Sequence, residues 1–190
     1  MNKLFGQILE GKSGDSPVRE SASREPQVRS WPGSRATQRV QPWASALATD
    51  PVAITAAVTR GVSRWLEDSG FATLREFKLG TGRRADVVGL DANGTLVMVE
   101  VKSTPGDFRA DDKWLEYVPY CDAFSFAVPP EFPWQILPTT CGVVIVDAHS
   151  ATVIRTAPVH KLHTSRRRAL TLRFALAAGQ RLAMVVDPRA

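Results

Sequence analysis

A chain of 190 residues with 44% apolar content can bury one sizeable core, and one domain plus a tail is its natural organisation. Cys121 and Cys141 stand far apart and form no CxxC, so they read as reduced, buried thiols in a cytoplasmic protein. No stretch approaches 18 consecutive apolar residues, which argues against a membrane span, and a net charge of +5 suits a nucleic-acid partner.

The positive excess is unevenly placed. Residues 1–45 hold 7 Lys/Arg against 4 Asp/Glu, a net of +3. The remainder holds 17 against 15, only +2, so DNA attraction in the folded part has to come from local clusters. The first segment is rich in Ser, Arg, Pro, Gln and Gly, and residues 1–48 read as a disordered tail. Within it Leu4, Phe5, Ile8 and Leu9 could form a short amphipathic turn, a candidate docking peptide for a partner protein. The run from Gly6 to Ser13 matches the phosphate-loop pattern GxxxxGK[ST]. Only five residues precede Gly6, and Gly14 to Pro17 follow Ser13. Neither the buried strand before such a loop nor the helix that cradles phosphate after it can form, so ATP binding is not expected.

Residues 49–186 read as the folded domain. Asp50 as N-cap and Pro51 at the first helical position open a helix. Ile54, Val58, Val62, Trp65 and Leu66 follow at helical spacing as one apolar stripe, which Gly70 ends. Phe71 to Leu79 reads as a strand and Gly80-Thr81-Gly82 as a turn. The stretch 83–103, RRADVVGLDANGTLVMVEVKS, reads as a β-hairpin. Val87 and Val88 lie in its first strand, and Leu96 to Val101 form a second, almost wholly apolar strand of the kind buried at the centre of a sheet.

Asp86, Glu100 and Lys102 interrupt that hairpin, and buried charges are costly unless paired or metal-bound. Glu100 and Lys102 are two residues apart and project from one face, roughly 6–7 Å apart. A three-residue loop, Ala92-Asn93-Gly94, with Gly94 left-handed, sets Asp91 against Thr95 and Asp86 against Glu100, about 4.5–5.5 Å apart. Two carboxylates so close repel, and a cation makes the arrangement favourable. Oxygen ligands suit Mg²⁺ or Mn²⁺. The Lys102 ammonium could then orient or activate a water, or stabilise charge on a phosphate. The competing reading is an Asp–Lys–Glu salt-bridge cluster at the end of a sheet; the hairpin context favours the metal.

Asp86, followed after thirteen residues by Glu100-Val101-Lys102, resembles the PD-(D/E)XK nuclease signature, with Ala85 where the motif has proline. The wider segment resembles more closely the MmcB-like family of proposed bacterial DNA-repair endonucleases. GRRADVVGL, VEVKS, DFRADDKWLEY, YCDAFSFAVP and RRRALTLRFA carry that resemblance, over roughly residues 52–183. It implies the Val101 carbonyl as a third metal ligand and a role in DNA repair. In some relatives, such as archaeal Holliday-junction resolvases, the first helix adds a metal-linked glutamate. Here Thr59-Arg60-Gly61 hold no acid, which leaves Glu67 and Glu76 as substitutes, each otherwise a solvated surface charge.

After Ser103 the chain reads as a loop through Pro105 and Gly106, then as a helix capped by Asp111 or Asp112 and running to about Tyr120. Lys113 and Tyr117, four apart, share a face of it. Their spacing resembles the Gln-x-x-x-Tyr element of RecB-like nucleases and implies a DNA phosphate contact, against a surface ion pair for Lys113. Trp114 reads as a packing residue. Ala123 to Val128 reads as a buried fourth strand, parallel to the catalytic one, completing the order αβββαβ. Gly142 to Asp147 and Thr152 to Thr156 read as a hairpin that extends the sheet. His160 and His163 supply too few ligands for zinc. Ser165 caps a final helix to about Met184, with Leu170, Phe174, Ala177 and Leu182 on its apolar face. Arg166, Arg167, Arg168 and Arg173 oppose that helix's dipole, which either a phosphate-bearing partner or an ordinary solvated face accounts for.

The resulting expectation is an α/β protein with a restriction-endonuclease-like αβββαβ core, a mixed central sheet and an extra C-terminal hairpin and helix. Its expected activity is divalent-metal-dependent DNA endonuclease, with Asp86, Glu100 and Lys102 catalytic and Mg²⁺ or Mn²⁺ held by Asp86, Glu100 and Val101. Arg83 and Arg84 steady the DNA backbone, with Lys113, Tyr117, Arg167 and Arg168 as further candidate contacts. A homodimer, or a repair protein recruited through the tail, is the candidate protein partner. The alternative is a non-catalytic DNA-binding or protein-recruiting module on the same fold.

Overall fold

The computed structural model describes residues 50–147 and 150–188; the tail, its docking segment and its phosphate-loop pattern lie outside the described residues. Asp50 caps α1 (Pro51–Asp68) by accepting the Val52 amide at 3.0 Å, as an acid before proline predicts. Val58, Val62 and Leu66 are fully buried along its apolar stripe, and Gly70 ends it at φ 88°. Gly61 is required where α1 crosses the sheet, because a Cβ there would lie 2.5 Å from the Asp147 carbonyl oxygen.

The strands are β1 (Phe71–Lys78), β2 (Arg84–Asp91), β3 (Leu96–Val101), β4 (Ala123–Val128), β5 (Gly142–Val146) and β6 (Ala151–Arg155). They lie side by side in chain order. β1, β2 and β3 are antiparallel, β3, β4 and β5 are parallel, and β6 returns antiparallel to β5. This is the mixed sheet expected, with the C-terminal hairpin at its edge. The β2–β3 register pairs Val87 with Val99 and Leu90 with Leu96. Gly94, at φ 78°, donates its amide to the Asp91 carbonyl at 3.0 Å, which makes the predicted three-residue loop.

Each face of the sheet is covered. α1 packs on Val87, Val97, Val99 and Val101. The opposite core gathers Met98, Phe124 and Phe126 with Phe77, Leu170 and Phe174. Cys121 and Cys141 are both buried and free, and the Trp114 ring stacks on Phe124 at 5.9 Å as a packing residue.

The segment between β3 and β4 departs from expectation. Thr104 caps a short helix, α2 (Pro105–Arg109), by accepting the Asp107 amide at 3.2 Å, where the sequence reads as a loop. The expected helix to Tyr120 is instead two 3-10 turns, Lys113–Glu116 and Val118–Tyr120. Pro119 lacks the amide a continuous helix needs there, and three-residue turns put Lys113 and Tyr117 on different faces. The last helix, α3, spans Thr164–Val186 with His163 at its cap position; Ser165 lies inside the first turn and meets His163 Nδ1 at 2.8 Å. By length and apolarity alone α3 could cross a membrane, although Leu170 and Phe174 tie it to the sheet.

Candidate active site

The β2–β3 ladder stops at Val87–Val99. Beyond it Asp86 Oδ2 accepts the Val101 amide at 2.8 Å, doing with a side chain what a strand carbonyl does within the ladder. Continued one step, the register sets Asp86 opposite Glu100. In an extended strand one residue's amide and carbonyl point to the same side, so the Val101 carbonyl also faces β2.

Glu100 is 6% exposed. Its Oε1 accepts Lys102 Nζ at 3.4 Å, and its Oε2 is buried with no hydrogen-bond partner among the described residues. Burial first, then the charge of Asp86, pushes the Glu100 carboxyl up to about 8. Burial raises Asp86 as well, against the Val101 amide and Lys102, which favour its ionised form. A buried carboxylate with an unpartnered oxygen, beside the half-buried carboxylate of Asp86, fits a hard cation that takes oxygen ligands and keeps water in its shell. Among the described residues no three His, Cys, Asp or Glu side chains enclose such an ion by themselves.

Lys102 is equally buried, and its Nζ donates to Asp111 Oδ2 at 2.7 Å. Burial alone lowers a lysine, but Asp111 and Glu100 outweigh it and hold Lys102 above its usual value. It is therefore an ammonium, suited to orienting a group or neutralising charge rather than to taking a proton. Burial likewise acts to raise Asp111, and the Lys102 ammonium overrides it and holds Asp111 below the ordinary carboxylate range. Sequence reading gave Asp111 only a capping role. Its meeting with Lys102 depends on the turn after α2, which no local pattern reveals.

Glu76 is the second acid brought in by the fold. Its neighbours pair as Arg75–Val87 and Phe77–Ala85, which sets Glu76 opposite Asp86. It is the one described residue other than glycine with positive φ, at 52°. The kink breaks the alternation of β1: Arg75 reaches Ser63 of α1 at 3.0 Å, and Phe77 joins Phe174 in the opposite core. Strained backbone of this kind clusters at functional sites. Glu76, Asp86 and Glu100 thus form a row of carboxylates across three strands. Glu67, the other substitute considered, accepts the Thr73 hydroxyl at 2.6 Å and takes no part in this row.

The predicted DNA contacts divide. Arg83 makes a two-pronged bond to Glu116, both arms 2.7 Å, and Arg84 pairs with Glu76 at 2.5 Å. Tyr117 is buried, and its hydroxyl donates to the Arg84 carbonyl at 3.0 Å; it is a packing residue and presents nothing to a phosphate. Arg167 is also structural. It donates to both oxygens of Asp122 at 2.6 and 2.7 Å and to the Gly94 carbonyl, joining α3 to the hairpin turn. Lys113 and Arg168 have exposed side chains. A groove of about 550 Å³ beside Glu76 is lined by Thr55, Thr59, Arg60, Arg75 and Ser103, polar groups that sequence reading did not connect.

The family model for DNA repair protein MmcB-like matches residues 48–189. The chain belongs to the MmcB-like DNA repair family. The solved SPO1766 protein of Silicibacter pomeroyi, of unknown function, is 41% identical to this MmcB-like chain, with a TM-score of 0.69 over 71% of this chain and 92% of that one. A repair endonuclease from Pyrococcus abyssi is 17% identical over 45% of this chain and 40% of that one, with a TM-score of 0.29, too slight a likeness to bear on the fold. No curated protein matches the chain.

Proposed function

We propose that this MmcB-like protein is a divalent-metal-dependent DNA endonuclease acting in bacterial DNA repair. The observation that carries the reading is Glu100, buried beside Asp86 with one carboxylate oxygen unpartnered and an ammonium at 3.4 Å from the other. Asp86 and Glu100 would hold Mg²⁺ or Mn²⁺, with the Val101 carbonyl completing the protein's share. Bound there, the ion would supply Lewis-acid polarisation of the phosphodiester and a lowered pKa for an attacking water.

The chain's own residues do the rest. Asp111 holds Lys102 charged and draws its ammonium off Glu100, which leaves both carboxylates to the ion. Lys102 neutralises charge developing on the phosphate and orients the water. Arg83 and Arg84 sit beside the site in exposed ion pairs, so a DNA phosphate can replace Glu116 or Glu76 at little loss. The groove along α1 offers Arg60 and Arg75 to a strand leaving the site. Buried, unbridged cysteines suit a cytoplasmic setting.

The test is cleavage of single-stranded, nicked, flapped and branched DNA with Mg²⁺ or Mn²⁺, wild type beside Lys102→Ala and Asp86→Ala. Scission by the wild type, lost in both variants with the fold intact, is the expected result. An active Asp86→Ala protein would sink the mechanism. If all three proteins bind DNA and none cuts, the recruiting module is the better reading.

A further inference from the structure

The fold covers one apolar face of α3 only as far as Ala178. Past it the apolar side chains are exposed on every side, Met184 and Val185 on the inner side included, and along the outer side the exposure runs the whole length of the helix. Leu170 and Phe174 enter the core with Ala177 and Ala178 against it. On the opposite side Leu172, Leu176, Gly179, Leu182, Ala183 and Val186 fall in line, and all are exposed; Leu182, expected beside Leu170 on the inner face, stands outside it. At 100° per residue these six span about 120° of the helix surface, centred away from the buried stripe. The large members are far from covered: Leu172 is 61% exposed, Leu176 58%, Leu182 63% and Val186 75%. A monomer gains nothing from such a stripe, and contiguous apolar patches of this kind mark interaction surfaces.

We propose that this face of α3 pairs with the same face of a second copy of the chain, the two helices antiparallel about a two-fold axis near Gly179.

Four observations select that occupant. The stripe is self-complementary: a two-fold at Gly179 sets Leu172 against the partner's Val186 and Leu176 against the partner's Leu182. Its area is that of a small interface: fully covered, the stripe would bury at most about 1,200 Å² between two copies, the lower end of stable interfaces. Its charges choose the direction. Arg166 and Arg168 stand in the first turns, α3 holds no acid, and Asp187 follows its C-terminal end. An antiparallel pair brings Arg168 toward the partner's Asp187 and the negative end of the partner's helix dipole, whereas a parallel pair would stack Arg168 on itself. Gly179 is the fourth observation. Glycine disfavours a helix interior, and a Cβ there would meet nothing within 4 Å of its own chain, so the monomer's packing does not call for it. Two backbones crossing at that point do.

The experiment is sedimentation equilibrium on the full chain from ~1 to ~100 µM, a range that brackets a modest self-association. The expected mass rises from 20.8 kDa toward twice that value. Leu172→Glu/Leu176→Glu is expected to stay at 20.8 kDa with an unchanged far-UV circular dichroism spectrum. Arg168→Asp and Asp187→Arg are each expected to weaken association by about tenfold, and together to recover much of it, as a direct pair requires. A wild type that stays monomeric throughout overturns the proposal. So does a dimer that the double glutamate variant leaves intact. A monomer that floats with phosphatidylserine vesicles overturns it too, and assigns the face to a lipid surface. None of these outcomes depends on DNA cleavage.

Discussion

β3 has a buried carboxylate at each end, and the two are treated in opposite ways. At its start Asp122 is 5% exposed, and at its finish Glu100 is 6% exposed. Asp122 accepts the Leu96 amide at 2.8 Å, the Leu162 amide at 3.1 Å and both arms of Arg167. Burial alone would raise it, but those donors hold it below the ordinary carboxylate range. Glu100 has a single long contact, a like charge opposite and one oxygen with nothing, and its carboxyl is pushed up to about 8. Burial of an acid therefore does not distinguish a strut from a site. Satisfaction does: the carboxylate whose lone pairs are all used locks α3 to the hairpin, and the one left short is where the proposed ion would bind.

The contrast can be broken most forcefully at the satisfied end. Asp122→Ala strands two buried amides and Arg167, and is expected to lower stability by about 3–5 kcal/mol in urea unfolding. At the other end the sign reverses. An unfolded glutamate releases its proton near the usual 4.5, and folded Glu100 keeps it to about 8. Across that window the folded state binds more protons, so its metal-free stability should fall as pH rises, by on the order of 5 kcal/mol. Glu100→Gln should flatten this slope, and Mg²⁺ should restore stability at pH 8 to the wild type but not to the variant. Asp122 contributes with the opposite sense, its share being lost as pH falls through its lowered pKa. A wild type whose stability is level from pH 5 to pH 8 would remove the distinction between the two acids.

Smaller changes sharpen it. Asp111→Asn releases Lys102 from its shorter partner and lets the ammonium settle on Glu100. The Mg²⁺ needed for half-maximal thermal stabilisation is expected to rise about tenfold. An unchanged requirement would mean that Asp111 does not manage Lys102. Glu116→Gln acts only on an exposed pair; it should leave the melting temperature where it is and tighten DNA binding roughly two- to fivefold at low salt, read by fluorescence anisotropy.

Local pattern was enough for the hairpin. The Asn-Gly turn, the apolar run of β3 and the two-residue period set the register that faces Asp86 toward Glu100, because cross-strand partners follow directly from loop length. Asp50-Pro51 and Gly70 likewise delimit α1 within a residue or so, since caps are local chemistry. The antiparallel β1–β2–β3 meander followed from short connections, and the parallel placement of β4 from the crossover of about a dozen or more residues that such a pair needs. The stretch between β3 and β4 differs from expectation because both caps form, Thr104 accepting the Asp107 amide and Asp111 accepting the Lys113 amide, and Pro119 interrupts what would follow the second.

By itself, then, the sequence determined the family, through its motifs, and the hairpin with its opposed carboxylates, which rests on contacts between near neighbours in the chain. Tertiary structure alone decided which charges are spoken for. Arg167 reaches Asp122 across 45 residues, Arg83 reaches Glu116 across 33, and Glu76 comes opposite Asp86 through a kink that serves the core. Composition counts those arginines as free positive charge. Whether a charge is spent on its own fold or left for a partner depends on distances that exist only once the sheet has closed.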